Sequence, residues 1–585
     1  MRLSSLLFRS FFVLLLPCIA SLAYLYSYPL FHRCGFPGPY ESENTTGNIS
    51  TSNAPKNFSD TPIGRLLSPQ APFRLLAFGD PQLEGDTSIP SLKHFPRTVA
   101  RDLISSDASA RARAWRDVKF SARLALESVR KRIDLWGNDL YLAHIYSTMH
   151  RWTNPTHVTV LGDLLGSQWI SDGEFERRSK RFWKVFSRAQ KVEEDVMTAG
   201  AAKHKEALGE REWDTRIINV AGNHDIGYAG DIDEHRVERW EKAFGQVNWD
   251  VTFTLPTDAS TSDPPSIRVV NLNSMNLDTP ALSHPLQAQT YGFVNDIITS
   301  SRDVEDRRYL TILLTHIPLR KGASVCVDAP FFSFFDHGGL KEQNHLSAPI
   351  SKSAVLEGIF GMSGDPSSSA QGRGRNGIII NGHDHEGCDT FHYISTSTND
   401  GLNSEGKSEE NSWQAIRYTD ALSSGLTAEE SVNGIRELTV RSMMGEFGGN
   451  AALVSAWFDG DTQEWKTEVS MCAAGVQHIW WAVHVFALVT LVLPVAALLC
   501  WMTETPDKIK AVQRKATKRP KISKEKMPLS DVIEEKASRE DSSDAPADGG
   551  PKGELSSVLD AVDFLDEQYS FEQVGGIMKF TEKQG

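Results

Sequence analysis

The chain has 585 residues, of which 40 % are apolar, enough for the core of one enlarged domain with appendages. Its net charge of −14 excludes a general nucleic-acid-binding role. No repeat of about 20 to 50 residues marks a solenoid. In chain order, a short basic start over residues 1–9 carries Arg2 and Arg9. Ser10–Phe31, "SFFVLLLPCIASLAYLYSYPLF", is free of charge and long enough to cross a bilayer. A cleaved signal peptide ending near Ser21-Leu22-Ala23 is the alternative, but the apolar run past Ala23 favours an anchor. Sequons at Asn44, Asn48 and Asn57 follow closely and suggest a glycosylated stalk over residues 32–69. A folded segment spans residues 70–472, and residues 479–502 form a second apolar run with Trp480 and Trp481 at its start. The tail, residues 503–585, opens with a basic stretch, turns acidic and reads as disordered. Its "DAVDFLDEQYSFEQVGG" is either a solvated tail or a short partner-binding helix. Basic flanks on both spans place both termini in the cytosol and the folded segment on the other side.

Within the folded segment one grammar repeats. A short apolar run ends in residues able to bind metal. "FRLLAFGDPQ" ends at Asp80 and Gln82, and "HVTVLGD" at Asp163. "RIINVAGNHD" ends at Asn223, His224 and Asp225, "LTILLTH" at His316, and "GIIINGHDH" at His383 and His385. Runs without alternation suit strands covered on both faces, and ligands gather at the carboxyl ends of such strands. Singly, each residue has an ordinary reading as a turn or a satisfied core group. As an ordered set they point to one site.

The set resembles the calcineurin-like metallophosphoesterase family in Asp80-Pro81-Gln82, Gly162-Asp163, Gly222-Asn223-His224-Asp225, His316 and Gly382-His383-Asp384-His385. The resemblance implies an α/β fold, a four-layer α-β-β-α sandwich of two mixed sheets, here flanked by two transmembrane helices. It also implies a pair of divalent metal ions bridged by Asp163. Asp80, Gln82 and His385 complete one metal, and Asn223, His316 and His383 the other. Such a pair polarises phosphoryl oxygens and activates a water for in-line attack. His224 then stabilises charge or protonates the leaving alkoxide, and Asp225 fixes the turn or the ring. Two departures stand out. Gln82 replaces the family's usual His, which favours Mn²⁺ over Zn²⁺ or makes the first site more labile, with Fe a further candidate metal. Gly166 stands where the family often has an Asp that orients the catalytic His.

"GDPQLEGD", "NDLYLAHIY", "THVTVLGDLLGSQWI", "THIPLR" and "GHDHEGC" are further similar to a membrane-bound branch of that family. Its members are endoplasmic-reticulum enzymes that remove an ethanolamine-phosphate branch from a mannose of the GPI-anchor glycan. The resemblance implies a GPI-anchor glycan lipid or GPI-anchored protein as substrate, contact with cargo-export machinery, and an endoplasmic-reticulum membrane location with cycling to the Golgi. The alternatives are a non-catalytic GPI-cargo receptor and a lumenal phosphoesterase for another lipid or nucleotide ester. If His316 and His385 serve one metal pair, Cys326 and Cys388 fall near each other. Cys34 and Cys472 lie just after the first span and just before the second and form the second expected disulfide, while buried free thiols are the alternative for Cys326 and Cys388. Three segments read as insertions: a charged, helical one from Trp183 to Trp213, a mobile loop over Ser363–Asn376, and a polar loop over Ser395–Ser412.

Overall fold

The computed structural model describes residues 2–32, 34–38, 70–90, 99–200, 205–209, 211–256, 263–395, 412–427, 433–516, 569–574 and 577–582. The three sequons, most of the expected stalk, nearly all of the loop after Ser395 and most of the tail lie outside them. In chain order the principal helices are α1 (Leu3–Tyr26), α2 (Ala108–Thr153), α3 (Asp172–Val185), α4 (Asn223–Ile226), α5 (Glu234–Phe244), α6 (His284–Ser300) and α7 (Gln477–Ala516). The strands are β1 (Phe73–Phe78), β2 (His157–Val160), β3 (Gln190–Lys191), β4 (Lys205–Ala207), β5 (Arg216–Asn219), β6 (Trp249–Thr254), β7 (Ser266–Asn271) and β8 (Tyr309–Leu314). They continue with β9 (Phe332–Phe334), β10 (Leu340–Gln343), β11 (Gly377–Asn381), β12 (Cys388–Ser395), β13 (Ser412–Arg417), β14 (Asn433–Thr439), β15 (Asn450–Asp459) and β16 (Glu464–Ala473).

Two mixed sheets result. One has six strands in the order β16-β15-β1-β2-β5-β3, the other eight in the order β13-β12-β14-β11-β8-β7-β6-β4. In the first, β1, β2, β5 and β3 are parallel and β15 closes antiparallel on β1. In the second, β7, β8, β11 and β14 are parallel. Alternate side chains explain the layers. Phe73, Leu75 and Ala77 of β1 meet Leu310, Ile312 and Leu314 of β8 and Ile378 and Ile380 of β11 in the core between the sheets. Leu76, Phe78, Leu313 and Ile379 point the other way, into the apolar layer shared with the helices. Strands buried on both faces therefore read as continuous apolar runs, and the expected four layers form.

The longest helix, α2, starts where the Asp107 carboxylate accepts from Ser109 N at 2.9 Å, a cap worth about 1 kcal/mol. It stops at Asn154, which turns left-handed at φ 53°. Its last turns bury Tyr141, Leu142, Ile145 and Met149, which covers the outer face of the six-stranded sheet.

The sequence expectation needs correcting in four places. The first apolar helix runs from Leu3 to Tyr26, not over 10–31, because Pro29 cannot continue it and instead opens a separate turn over Tyr28–Phe31. The second begins at Gln477 and continues to Ala516, well past 502. The Trp183–Trp213 insertion is not mainly helical. It supplies an edge strand to each sheet, β3 beside β5 and β4 beside β6, and buries Val192, Val196, Met197, Leu208 and Trp213 between the sheets. In the tail, two strands, β17 (Tyr569–Val574) and β18 (Ile577–Glu582), pair antiparallel where disorder or a helix was expected. Alternation in "YSFEQV" fits that pairing.

α1 and α7 each hold a window long and apolar enough to cross a membrane, and only 6 % and 11 % of those windows are covered by the rest of the protein. Core helices are covered, so the two helices indicate membrane association.

Candidate metal centre

Five strands end around one point. Asp80 and Gln82 follow β1, Asp163 follows β2, Asn223 and His224 follow β5, His316 follows β8, and His383 and His385 follow β11. The six-stranded sheet thus supplies the oxygen donors and the eight-stranded sheet the imidazoles. Two groups of donor atoms lie within 4.8 Å of one another: Asp163, His316 and His383, and Asp80, Asp163 and His385. Asp163 is common to both. Asn223 Oδ1 lies 3.0 Å from His316 Nε2 and 3.0 Å from His383 Nδ1, so it joins the first group. Gln82 Nε2 lies 3.1 Å from Asp163 Oδ2 and 3.1 Å from His385 Nε2, so its amide end joins the second. Turned by 180°, that amide presents its oxygen to the same place.

The backbone is bent to achieve this. Asp80, Gln82, Asp163 and His383 are left-handed, with φ of 46°, 41°, 50° and 74°. Such residues cost of order 1–3 kcal/mol each and persist only when their surroundings hold them. Here Gln82 N donates to Asp163 O at 2.9 Å, Ser442 Oγ to Asp80 O at 2.9 Å, and His383 N to Asp80 Oδ1 at 3.1 Å. The glycines before Asp163 and Asn223 have a physical reason. A Cβ on Gly222 would come within 2.3 Å of Asp163 Oδ1, and one on Gly162 within 2.1 Å of His316 Nδ1.

The donor set fits a pair of cations. His316 Nδ1 lies 2.7 Å from Leu161 O and His383 Nε2 lies 2.9 Å from Gln343 O, so each ring points its other nitrogen at the centre. Burial pushes His383 down to about 3, with His316 adding to it, and burial also lowers His316 and His385. Neutral imidazole is the metal-binding form. Burial, followed by the charge of Asp163, holds Asp80 well above the usual carboxylate range. Burial would raise Asp163 as well, but His224, His316 and His383 outweigh it and lower its carboxyl. That lowering requires charged rings; with His316 and His383 neutral, the buried carboxylates lack positive charge, and divalent cations would supply it.

His224 stands apart from the donors. Its ring is 39 % exposed to the cleft, with Nε2 3.8 Å from Asp163 Oδ2. Asp225 does not face the cleft. Its buried carboxylate accepts from Leu164 N, Leu165 N and Gly222 N at 3.1, 2.9 and 3.0 Å, which ties the Asn223 turn to the Asp163 turn. Of the two roles expected for Asp225, it therefore holds the turn and not the His224 ring.

The centre opens into a cleft of about 590 Å³ lined by Trp169, Tyr228, Phe335 and Phe447, with Asp328, Lys341, Glu342 and Glu386 among its polar walls. None of these wall residues was singled out in the sequence, since they come from loops and the β9–β10 hairpin, without metal-type spacing. A second buried group likewise leaves no signal in the sequence. Glu437 on β14 accepts from Leu319 N and Asn381 Nδ2, both at 2.7 Å, and pairs with Lys321 Nζ at 2.8 Å and His392 Nε2 at 2.6 Å. It holds the segment after His316 and the strand end before His383.

The structure joins Cys326 to Cys388 and Cys34 to Cys472, with Cα atoms 5.8 and 5.6 Å apart. Among the described residues, Cys18 and Cys500, both in the apolar helices, are the free cysteines.

No family model matches the chain. It is 29 % identical over 551 residues to Protein TED1 of Saccharomyces cerevisiae, covering 82 % of this chain and 96 % of that protein. It is 28 % identical over 395 residues to an uncharacterized protein of Schizosaccharomyces pombe, covering 62 % of this chain and 80 % of the relative. Among solved structures, a dimetal phosphatase from Danio rerio aligns over 70 % of this chain and 98 % of its own, at 10 % identity and a TM-score of 0.28.

Proposed function

We infer that this chain is a metallophosphoesterase-like hydrolase whose two-sheet fold gathers the donors of a two-metal phosphoesterase centre. Two bound divalent cations would supply Lewis-acid polarisation of a phosphoryl group and an activated water. The chain's own residues do the rest. Asp163 spans both donor groups and fixes their separation. Gln343 O and Leu161 O hold the imidazole tautomers. His224, at the cleft face of the centre, is placed to stabilise charge on the phosphoryl oxygens or to give a proton to the leaving alkoxide. Mn²⁺ is the proposed metal, because an amide at Gln82 is a harder donor than imidazole.

The proposed substrate is a phosphodiester on a membrane-held glycan, the ethanolamine phosphate of a GPI anchor, and the proposed site is the endoplasmic-reticulum lumen. One observation supports a membrane-held substrate above others. The turn Gly445–Phe447 connects the cleft to the membrane helix: Phe447 packs on the His385 ring at 5.1 Å, while Gly445 lies against Gln477, the first residue of α7. The chemistry of the walls agrees with a cationic arm. Asp328 and Glu386 stand in the same cleft, and Asp328 is raised by burial and then by the charges of Asp384 and Glu386. An ammonium would relieve that repulsion.

Mass spectrometry of GPI glycans from cells lacking the protein tests this. Extra ethanolamine phosphate on a mannose is expected, reversed by the wild-type chain but not by Asp163→Asn. An unchanged glycan pattern removes the substrate. Full reversal by Asp163→Asn would favour the non-catalytic receptor.

A further inference from the structure

The longest helix carries an apolar face that the other described residues leave uncovered. Trp115, Leu126, Val129, Ile133, Trp136 and Leu140 are exposed on one side, Leu126 to 72 %, and Phe120 is exposed on another. The former fall within about 80° of one another around the α2 axis and run along roughly 38 Å of it. Between Ala108 and Leu135 the helix carries eight arginines and lysines against three acids. Lys119 and Arg123 lie along one edge of the stripe and Arg132 along the other. A basic helix with one apolar stripe is suited to a bilayer surface.

The contacts of α2 with the apolar helices say which way the stripe faces. Asn138 and Tyr141 reach the start of α7: Gln477 Nε2 donates to Asn138 Oδ1 at 3.2 Å, and Tyr141 Oη to Gly475 O at 2.6 Å. Gly137 and His144, turned further round the same helix, meet residues one turn deeper in α7. A Cβ on Gly137 would come within 1.7 Å of the Trp481 ring, and the His144 ring lies 6.5 Å from that of Trp480. His144 also packs edge-on against Tyr26 at the end of α1, at 4.7 Å, and Trp152 Nε1 donates to Tyr26 O at 2.7 Å. So from Gly137 to Trp152 the helix crosses the lumenal ends of both spans at one level. Continuing around α2 in the direction from Gln477 to Trp481 leads to the stripe. Leu140 precedes His144 by four residues, and Ile133 precedes Gly137 by four, so the stripe prolongs the face that meets the deeper tryptophans.

We propose that α2 lies along the membrane surface as an interfacial helix, its Trp115–Leu140 stripe in the acyl boundary of an anionic bilayer and its basic edges among the headgroups. The proposal takes α1 and α7 as spans and does not depend on the reaction. It makes α2 a third membrane contact that fixes the tilt of the domain, and with it the height of the cleft above the lipid.

The test uses the full chain in phosphatidylcholine vesicles with a minority of phosphatidylserine, after Cys18→Ala and Cys500→Ala. An environment-sensitive dye is placed at Leu126→Cys, Ile133→Cys or, on another face, Glu127→Cys. Nitroxide-bearing lipid should quench the first two several-fold more than the third, and aqueous iodide should do the reverse. Equal quenching at all three positions would overturn the proposal. So would a disulfide-linked dimer through Ile133→Cys, which would assign the stripe to a second copy. Release of the protein by alkaline carbonate would remove the premise that α1 and α7 are spans.

Discussion

His224 differs from its neighbours in that its ring opens to the cleft, with Asp163 3.8 Å away. Its backbone N donates to Asp163 Oδ1 at 2.8 Å, so the ring is carried to the cleft by the same turn that places Asn223. Among the described residues no hydrogen bond orients the ring, in keeping with the expectation drawn from Gly166. The expected result for purified His224→Ala is full metal content with turnover reduced roughly 10²-fold or more, as for a lost acid. Metal analysis alongside steady-state kinetics checks it. An empty centre in that variant would instead make His224 a ligand or a structural residue.

At the scale of elements, β14 does more than extend a sheet. Burial alone would raise the Glu437 carboxyl, but Lys321 and His392 outweigh it and hold it well below the usual glutamate range. Glu437 and Lys321 are both buried, so neutralising one leaves the other uncompensated. Glu437→Gln should therefore cost about 3–5 kcal/mol in denaturant unfolding. The sign follows from the depressed value. Glu437 contributes stability fully above its unfolded pKa of roughly 4.3, and the contribution is lost as pH falls through the lower folded value. Wild-type stability should drop on that acid side, and the variant should lack this component. Equal acid profiles would show that the pair contributes nothing. Because Glu437 also holds Leu319 N and Asn381, loss of metal affinity should accompany the loss of stability.

For the whole molecule, the Cys34–Cys472 bond joins chain segments 438 residues apart, next to the two apolar helices. Chain entropy gives a loop of 100 residues about 4.7 kcal/mol, and a longer loop more, as an upper figure where the membrane already restrains both ends. Cys34→Ser should lower thermal stability while leaving turnover of the folded enzyme intact, since neither cysteine is among the donors. Non-reducing peptide mapping should recover Cys34 with Cys472 and Cys326 with Cys388. A free thiol at Cys34 or Cys472 in the mature protein contradicts the bond without touching the metal centre.

What the sequence determined by itself were the strands that lead to the centre and the donors that end them. β1, β2, β5, β8 and β11 are buried on both faces, so their apolar runs are continuous, and close approach demands a glycine before Asp163, Asn223 and His383. Both signals are local. The sequence misplaced the Trp183–Trp213 segment, because its charges read as a solvated helix while the buried positions that make β3 and β4 edge strands are few and scattered. Only the tertiary structure decided which atoms face the centre, since the left-handed turns at Asp80, Gln82, Asp163 and His383 are held by bonds between distant segments. The same is true of Glu437 with Lys321, of the cleft walls, and of the side of α2 left exposed. Each depends on residues far apart in the chain, and no local pattern records where the fold will bring them.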